Sequence, residues 1–417
     1  MRGAYLLRLG ASVSIPAMTL ADLRAAFPVL DDGLCFLDWG ATGLLPESAR
    51  RAIHGYVDEL ARCPGADATW MHAVHGETRQ RVRQLVAGLI GAAPKDVALM
   101  ESTTAGLHVA ASAIALAPGD NVVVSELDYL AVAMPWKRRA EDAGIELRWV
   151  PPRDDAIHPD DVLERVDDRT RIVALSTICW TTGAVLDLDA LAGPLRTRGV
   201  HFVVDGIQTF GTFPIDVRRT PVAFLAVGGH KWLASLLGAG FLYVDPSVAK
   251  AHRPGDQGFL CGRPTRGQWW EWFQDPLSSA QEDVVFPPFG RSFETGGTAS
   301  YPGAIGLDAS LSLFADTGVD VIANHVLDLG DALIAGLDDL GCDVLTPRDR
   351  RGRAGLIVFH VPGDADRQRD VAMRLRGDGV VVSVRYSGGR GGLRASLHGP
   401  NDASDVQRLL EALRALL

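Results

Sequence analysis

"AVGGHKWLASLLGAGFLYV" (residues 226–244) places His230 and Lys231 between a pair of glycines and an apolar run with the composition of a buried strand. A lysine beside an apolar segment is most often a surface residue whose aliphatic stem is buried while its ammonium group stays in water. Taken alone, the stretch favours that interpretation. The segments around it favour a different one, because they place Lys231 where a sheet binds its ligand.

Five short apolar runs precede this stretch, and segments with helical periodicity separate them. The runs are rich in valine and isoleucine and lie at 96–100, 121–126, 146–151, 171–177 and 201–206. Strands that alternate with helices in this way are typical of an α/β fold with a doubly wound, mostly parallel sheet. Such sheets bind ligands at the carboxyl ends of their strands. After residue 300 the pattern changes to helices, then strands, then a final helix, which predicts a smaller α+β domain.

Polar residues stand where several of these strands end. Asp205 closes the apolar run "HFVVD", and a buried carboxylate there needs a cation or hydrogen bonds. Thr103 and Thr104 precede a helix predicted to begin near Ala105, and hydroxyl and N–H groups at a helix N-terminus can bind a phosphate. The alternative is that these three polar residues only cap a turn or a helix.

Composition excludes several classes of protein. The 417 residues predict two domains, and a net charge of −10 without a basic run argues against nucleic acid or an anionic membrane surface as partner. No window approaches a membrane span, and Arg8 interrupts the N-terminal apolar residues before a signal-peptide core could form. Five scattered cysteines without a CxxC pair predict no metal site and a cytoplasmic location. Thr19 is expected to cap the first helix, after a loose arm at 1–17.

One block carries a family resemblance. "VVDGIQTFGTFPIDVRRTPVAFLAVGGHKWLASLLGAGFLYV" (203–244) is similar to the central block of class V aminotransferase-fold enzymes, which include cysteine desulfurases, isopenicillin N epimerase-like enzymes and C–S lyases. The resemblance extends from "CFLDWGATGLLP" (35–46) to "LRASLHGPNDASDVQRLLEAL" (393–413). It implies the PLP-dependent transferase fold (fold type I), with pyridoxal 5′-phosphate (PLP) as cofactor. It also implies an N-terminal arm and helix at 1–34 that pack with the small domain, a large PLP-binding domain at 35–299 and a small C-terminal domain at 300–417.

The resemblance gives three residues of the block a role at the PLP ring. Lys231 is implied to form a Schiff base with PLP and, once displaced by substrate, to move protons at the substrate α-carbon. Asp205 is implied to keep the pyridine nitrogen protonated. Gln208 is implied to hydrogen-bond the phenolic oxygen of the ring.

The phosphate of PLP has its own set of implied partners. They are His230, Thr103, Thr104 and the backbone of Ala105. Thr298 resembles a threonine that reaches the phosphate from the neighbouring subunit, which implies a homodimer with a shared active site.

Five further residues complete the implied site, one of them at the cofactor ring and four at the substrate. Tyr129 matches the residue whose ring stacks on the pyridine, and a tyrosine there resembles the epimerase-like branch. Arg394 matches the arginine that clamps the α-carboxylate with a bidentate fork. Trp39, Gly40 and Trp180 are expected to border the pocket, and the two indoles favour a substrate larger than free cysteine. The alternatives are a surface arginine on an edge strand and tryptophans that belong to the core.

The sequence departs from the desulfurase pattern at two places, one that bears on the reaction and one that bears on phosphate binding. The link before Arg394 is short and glycine-rich, and no cysteine lies at 343–417, which argues against persulfide chemistry on the enzyme. Gly228 stands where many relatives have a phosphate-binding serine, so other groups have to hold the phosphate.

These features favour β-elimination by a C–S lyase that acts on a bulky cysteine S-conjugate, in a secondary-metabolism role. Epimerisation or racemisation is the next alternative, followed by decarboxylation-coupled or simple transamination or oxidative deamination. A PLP-binding regulator without turnover is disfavoured by Arg394. The segment "RGQWWEWFQDPLSS" (266–279), with Trp269, Trp270 and Trp272, is either an interface element or a substrate lid.

Overall fold

The structure is a computed structural model that describes residues 18–62, 70–294 and 300–417. Its α-helices are α1 (Leu20–Ala25), α2 (Glu47–Arg62), α3 (Trp70–Ile90), α4 (Thr103–Ala113), α5 (Leu130–Ala143), α6 (Pro159–Leu163), α7 (Leu188–Thr197), α8 (Pro246–Ala251), α9 (Trp269–Trp272), α10 (Tyr301–Thr317), α11 (Val319–Asp339), α12 (Ala365–Gly377) and α13 (Ala403–Leu416). Its strands are β1 (Cys35–Phe36), β2 (Val97–Met100), β3 (Asn121–Ser125), β4 (Glu146–Val150), β5 (Thr170–Ser176), β6 (His201–Asp205), β7 (Phe224–Gly228), β8 (Gly240–Val244), β9 (Arg263–Pro264), β10 (Val284–Val285), β11 (Asp343–Val344), β12 (Leu356–His360), β13 (Val380–Val381), β14 (Ser383–Ser387) and β15 (Arg390–Ser396).

The larger sheet has seven strands in the order β2-β8-β7-β6-β5-β3-β4. All are parallel except β8, which runs antiparallel to both of its neighbours. The five apolar runs of the sequence form β2 to β6 of this sheet, which confirms the predicted α/β architecture. Because the strands are parallel, the connections after β3, β5, β6 and β7 and the start of α4 lie at one end of the sheet.

Side-chain alternation along the strands gives this sheet two apolar faces. Val122 and Val124 of β3 pack in one core cluster, whereas Val123 between them packs in the other. Each face is covered by helices, with Leu107 of α4 on the first and Val86 of α3 on the second. A strand buried on both sides reads as a continuous apolar run, which explains why these strands were visible in the sequence.

A second, antiparallel sheet has the order β11-β12-β15-β14. The N-terminal segment packs with this part of the chain: β1 pairs with β13, and Arg24 of α1 binds Asp405 of α13 at 2.9 Å. The capping prediction for Thr19 is confirmed, because its hydroxyl accepts the Asp22 N–H in a capping box. We propose that the two sheets are the centres of a large domain at 35–299 and a small domain at 300–417. No helix within the described residues is long and apolar enough to cross a membrane.

Candidate active site

Lys231 lies three residues beyond the end of β7, at the carboxyl end of the large sheet. Its Nζ atom is 5.7 Å from the centre of the Tyr129 ring. Burial lowers the pKa of Lys231 to about 8, and the charge of Asp205 opposes that shift while those of Arg394 and Arg385 add to it. A lysine whose stem alone is buried would keep a solvated ammonium, so the surface interpretation of this lysine is wrong.

Asp205 ends β6 and is almost fully buried. One carboxylate oxygen, Oδ1, accepts the Ile207 N–H at 2.9 Å, and within the described residues no group donates to Oδ2. Burial raises the pKa of Asp205 to about 6, although the Ile207 hydrogen bond and the Lys231 charge lower it. The carboxylate therefore has one oxygen fixed by the backbone and one oxygen available to a protonated ring nitrogen.

Gln208 is held by hydrogen bonds to one side chain and one backbone carbonyl. Its Oε1 accepts the indole N–H of Trp232 at 2.8 Å, and its Nε2 donates to the Gly40 carbonyl at 3.2 Å. An amide nitrogen carries two hydrogens, so one remains for a ligand oxygen. A Cβ on Gly40 would lie 2.8 Å from Leu356 Cδ2 and 2.9 Å from Ser396 Oγ, which explains why glycine occupies that position.

The predicted phosphate end lies at the start of α4. Thr103 Oγ1 is buried there and has no hydrogen-bond partner within the described residues. A Cβ on Gly228 would lie 3.0 Å from this oxygen and 3.2 Å from Nδ1 of His230, so a side chain at this position would crowd both polar groups. Burial and the Lys231 charge lower the pKa of His230, which leaves a neutral imidazole that can donate to an anion.

The role expected for the Ala105 backbone conflicts with the structure. Ser102 is the N-cap of α4, and its hydroxyl accepts the Ala105 N–H at 3.0 Å. That donor is therefore already used, and the N–H groups of Thr103 and Thr104 are the free donors at this helix end. The orphaned Thr103 hydroxyl, the nearby His230 imidazole, the lack of a side chain at Gly228 and the spare donors fit a phosphate, and the Asp205 and Gln208 atoms fit a pyridine ring.

Arg394 on β15 is buried with its guanidinium between two partners. It donates to the Trp180 carbonyl at 3.0 Å and to Oδ1 of Asp38 at 3.3 Å, and Ser383 donates to the same Asp38 oxygen at 2.7 Å. Its Nε is buried without a partner within the described residues. Burial lowers the pKa of Arg394 to about 10, so it stays cationic at neutral pH. The surface alternative for Arg394 is wrong, and a buried fork with a free N–H can still accept a carboxylate.

Sequence reasoning missed Arg385 and Asp38. Ser383 pairs directly with Arg394 across β14 and β15, and Arg385 is two residues further along β14, so all three side chains face the same side of the sheet. The described structure gives Arg385 one hydrogen bond, to the carbonyl of Val384 at 2.9 Å, and no carboxylate partner. The alternation Ser383-x-Arg385 in a strand could have pointed to it.

The two predicted indoles have different surroundings. Trp180 is partly exposed, and its ring meets the Tyr129 ring edge-on at 5.3 Å between centroids, so these two rings border the space above Lys231. Trp39 is fully buried and donates its N–H to Asn401 at 2.9 Å. The structure thus places Trp39 in the core, and the expectation that its ring borders the pocket is wrong.

The remaining predictions concern residues outside the described structure and the tryptophan segment at 266–279. Thr298 and the arm at 1–17 lie outside the described residues, so the shared dimeric site stays a prediction. The tryptophan segment is anchored by hydrogen bonds from Trp269 to the Gly262 carbonyl and from Trp272 to Glu282, whereas Trp270 is exposed. No group of three metal-binding side chains occurs in the part of the chain that the structure describes.

Comparison with known proteins identifies the family. The model for "Aminotransferase class-V" matches residues 35–409. The chain is 26% identical over 416 residues to a "Probable cysteine desulfurase" of Methanothermobacter thermautotrophicus, covering 96% of this chain and 98% of that protein. It is 28% identical over 402 residues to the isopenicillin N epimerase of Streptomyces clavuligerus, covering 93% and 96%.

A solved structure shows the same fold. The cystine C–S lyase C-DES, in complex with its reaction product cysteine persulfide, superimposes with a TM-score of 0.81 at 24% identity, covering 93% of this chain and 99% of that one. This likeness confirms fold type I, and the family match confirms the predicted cofactor. The chain belongs to the class V aminotransferase family and is a PLP-dependent enzyme that acts on an amino acid.

Proposed function

We propose that this protein is a C–S lyase that cleaves a cysteine S-conjugate by β-elimination, and that the S-linked group carries a carboxylate. Cleavage of such a conjugate with one water gives the free thiol, pyruvate and ammonia, so no external oxidant or reductant is needed. The observation that carries the proposal is the β14–β15 connection, which is a turn through Gly388 and Gly389 without a cysteine. Sulfur that leaves the substrate has no enzyme thiol on this connection to capture it.

The site residues divide the work of such a reaction. PLP, when bound, supplies an electron sink for the bonds at the substrate α-carbon. Arg394 would bind the α-carboxylate and fix which bond faces the cofactor. Lys231, with a pKa of about 8, would take the α-proton through Nζ at neutral pH, since an appreciable fraction of it is the free amine. Asp205 would hold the proton on the ring nitrogen.

The charge near Arg394 supports an anionic distal group. Arg385 and Arg394 are diagonal neighbours on adjacent strands, which places their Cα atoms about 7 Å apart. Asp38 pairs with Arg394, whereas Arg385 has no carboxylate partner within the described residues. A cation left unpaired beside Lys231 is best satisfied by a second carboxylate of the substrate.

Epimerisation is the second candidate, and the 28% identity to an isopenicillin N epimerase favours it. An epimerase would move the same α-proton but return it, so the conjugate would survive. Decarboxylation-coupled reactions and transamination are distinguished from both by their products.

The test compares S-carboxymethyl-L-cysteine with its neutral amide, S-carbamoylmethyl-L-cysteine, in deuterated water. We expect thiol, pyruvate and ammonia in equal amounts, with kcat/KM about tenfold or more higher for the carboxylate. Arg385→Ala should abolish this preference, whereas Arg369→Ala, at an exposed arginine paired with Asp366, should keep it.

Three results would contradict the lyase. An intact conjugate with inverted configuration and deuterium at its α-carbon would indicate an epimerase, carbon dioxide released with each turnover would indicate decarboxylation, and formation of the α-keto acid with sulfur still attached would indicate transamination. If the wild type cleaved both conjugates at equal rates, the proposed lyase reaction would stand, but the proposal that the S-linked group carries a carboxylate would be wrong.

A further inference from the structure

Asp128 is a carboxyl group beside the cofactor site to which none of the roles above is given. It follows the end of β3 and directly precedes Tyr129. Its Oδ1 atom accepts the backbone N–H of Ser176, the last residue of β5, at 2.9 Å. Ser176 in turn is the register partner of Asp205 on β6. The Asp128 carboxyl group thus bridges the ends of β3 and β5, and β5 in turn pairs with β6 at Asp205.

The second oxygen of Asp128 faces a small cavity. Oδ2 is buried and has no hydrogen-bond partner within the described residues. The cavity has a volume of about 20 Å³ and is lined by Asp128, Ser125, Ser176 and Cys179 together with apolar side chains. That volume suits a single water molecule held by polar groups.

Asp128 has acidic groups near it, but no basic side chain lines its cavity within the described residues. The pKa of Asp128 is raised to about 7: burial is the largest cause, hydrogen bonds from Ser176 and Ser125 oppose it, and the charge of Asp205 adds to it. Cys179 is the other titratable group on the cavity wall, and no basic side chain within the described residues lines that cavity. Asp128 and Asp205 lie at the ends of β3 and β6, the two strands on either side of β5, so an ionised Asp128 would add a second negative charge near Asp205 without a basic side chain on the cavity wall to offset it within the described residues.

We infer that Asp128 is a positioning residue that works as a neutral carboxylic acid. It accepts the Ser176 N–H, donates its proton to a water in the cavity, and adds no second negative charge beside Asp205. By holding β3 to β5 it also fixes the backbone that presents Tyr129. The inference rests on the role proposed for Asp205, because that role is what a second negative charge would disturb.

Two variants separate the neutral acid from a merely structural carboxylate. Asp128→Asn is isosteric, stays neutral at every pH, and keeps both the acceptor for Ser176 and a donor for the cavity. Asp128→Ala removes both groups. Asp96→Asn is the matched control, because Asp96 is also buried with an unpartnered oxygen and a pKa raised by burial, but it lies at the opposite end of β2 from the start of α4.

The measurements use the PLP-bound enzyme between pH 5.5 and 9. Infrared difference spectra should show the C=O band of a protonated carboxyl group that disappears with a midpoint near pH 7. This band should be missing in Asp128→Asn and present in Asp96→Asn. The absorption band of bound PLP should shift over the same pH range in the wild type and lose that shift in Asp128→Asn. PLP affinity at pH 6.5 should be unchanged in Asp128→Asn and about tenfold weaker in Asp128→Ala.

The outcomes distinguish this inference from the assignment of Asp205. An infrared profile of Asp128→Asn identical to that of the wild type would show that Asp128 is not the titrating acid, and would overturn the inference. Loss of PLP affinity in Asp128→Asn equal to that in Asp128→Ala would show that the negative charge is needed, with the same consequence. The role of Asp205 is tested separately, since Asp205→Asn should weaken PLP binding whatever Asp128 does.

Discussion

The part of the site predicted to bind PLP and the part predicted to bind substrate differ in how far along the chain their contacts reach. The cofactor half consists of Lys231, Asp205, Gln208, His230 and Thr103, and the substrate half of Arg394, Arg385, Asp38 and Trp180. Asp205 is held by a residue two positions away, and Gln208 by residues 24 and 168 positions away. Arg394 is held by residues 214 and 356 positions away.

This difference has a physical cause and a functional consequence. The cofactor half sits on strand ends of one parallel sheet, so the sheet fixes most of its geometry, although Gln208 also depends on Gly40 of the N-terminal segment. The substrate half needs the small sheet, the segment around Asp38 and the β5–α7 connection to meet. Changes in the cofactor half should therefore abolish all chemistry, whereas changes in the substrate half should alter which substrate reacts and how fast.

Lys231→Ala should have the largest effect. Without the amine, PLP has no covalent attachment and the α-proton has no base, so turnover should fall by about a thousandfold or more. The measurement is borohydride reduction followed by mass spectrometry of the modified peptide, together with the rate of pyruvate release. Lys137→Ala is the control, because Lys137 also lies over an aromatic ring, Trp149, at 5.4 Å but on the surface helix α5. A PLP adduct formed at wild-type yield in Lys231→Ala would refute the assignment.

Arg394→Ala should impair the substrate half of the site and leave the cofactor half intact. The α-carboxylate would lose a charged, buried partner, so kcat/KM should fall about a hundredfold while the absorption band and affinity of PLP stay near those of the wild type. Arg394→Lys keeps the charge but not the planar fork and should recover only part of the rate. If Arg394→Ala lost PLP as readily as a variant of the cofactor half, the division between the halves would be wrong.

The same division explains what could be predicted from the sequence. Asp205 and Lys231 were recognisable because each follows an apolar strand, and their spacing within one block resembles a known family. Ser102 was overlooked because Thr103 and Thr104 are equally good capping residues, and only the backbone of α4 shows which residue is the N-cap. Trp39 was misplaced because its burial depends on Asn401, 362 positions away. Arg385 and Asp38 became visible only when β14, β15 and the N-terminal segment were brought together.

The smallest expected effect concerns the contact between the β14–β15 turn and the large domain. Arg390 binds Asp155 at 3.2 Å, and both side chains are about a third exposed. An ion pair with that exposure contributes less than about 1 kcal/mol to stability. The left-handed backbone of Asp155 (φ 59°) adds a cost of roughly 1 kcal/mol for alanine, so Asp155→Ala should lower the unfolding temperature by only a few degrees. The turn lies next to the strands that carry Arg385 and Arg394, so we expect KM for the conjugate to rise about two- to threefold, with kcat unchanged.

Asp161→Ala provides a matched control for this last variant. It removes the ion pair between Arg153 and Asp161, which has a separation of 3.1 Å and lies in the same part of the large domain, but does not involve the turn. Added salt should raise KM in both proteins, because it also screens the substrate carboxylates, but by a larger factor in the wild type, whose exposed Arg390–Asp155 pair is weakened too. A change in KM of the same size in Asp161→Ala would show that the loop, and not its contact with the turn, sets substrate affinity. A fall in kcat in Asp155→Ala would mean that the turn also orders the chemical step, and the boundary between the two halves would then have to include it.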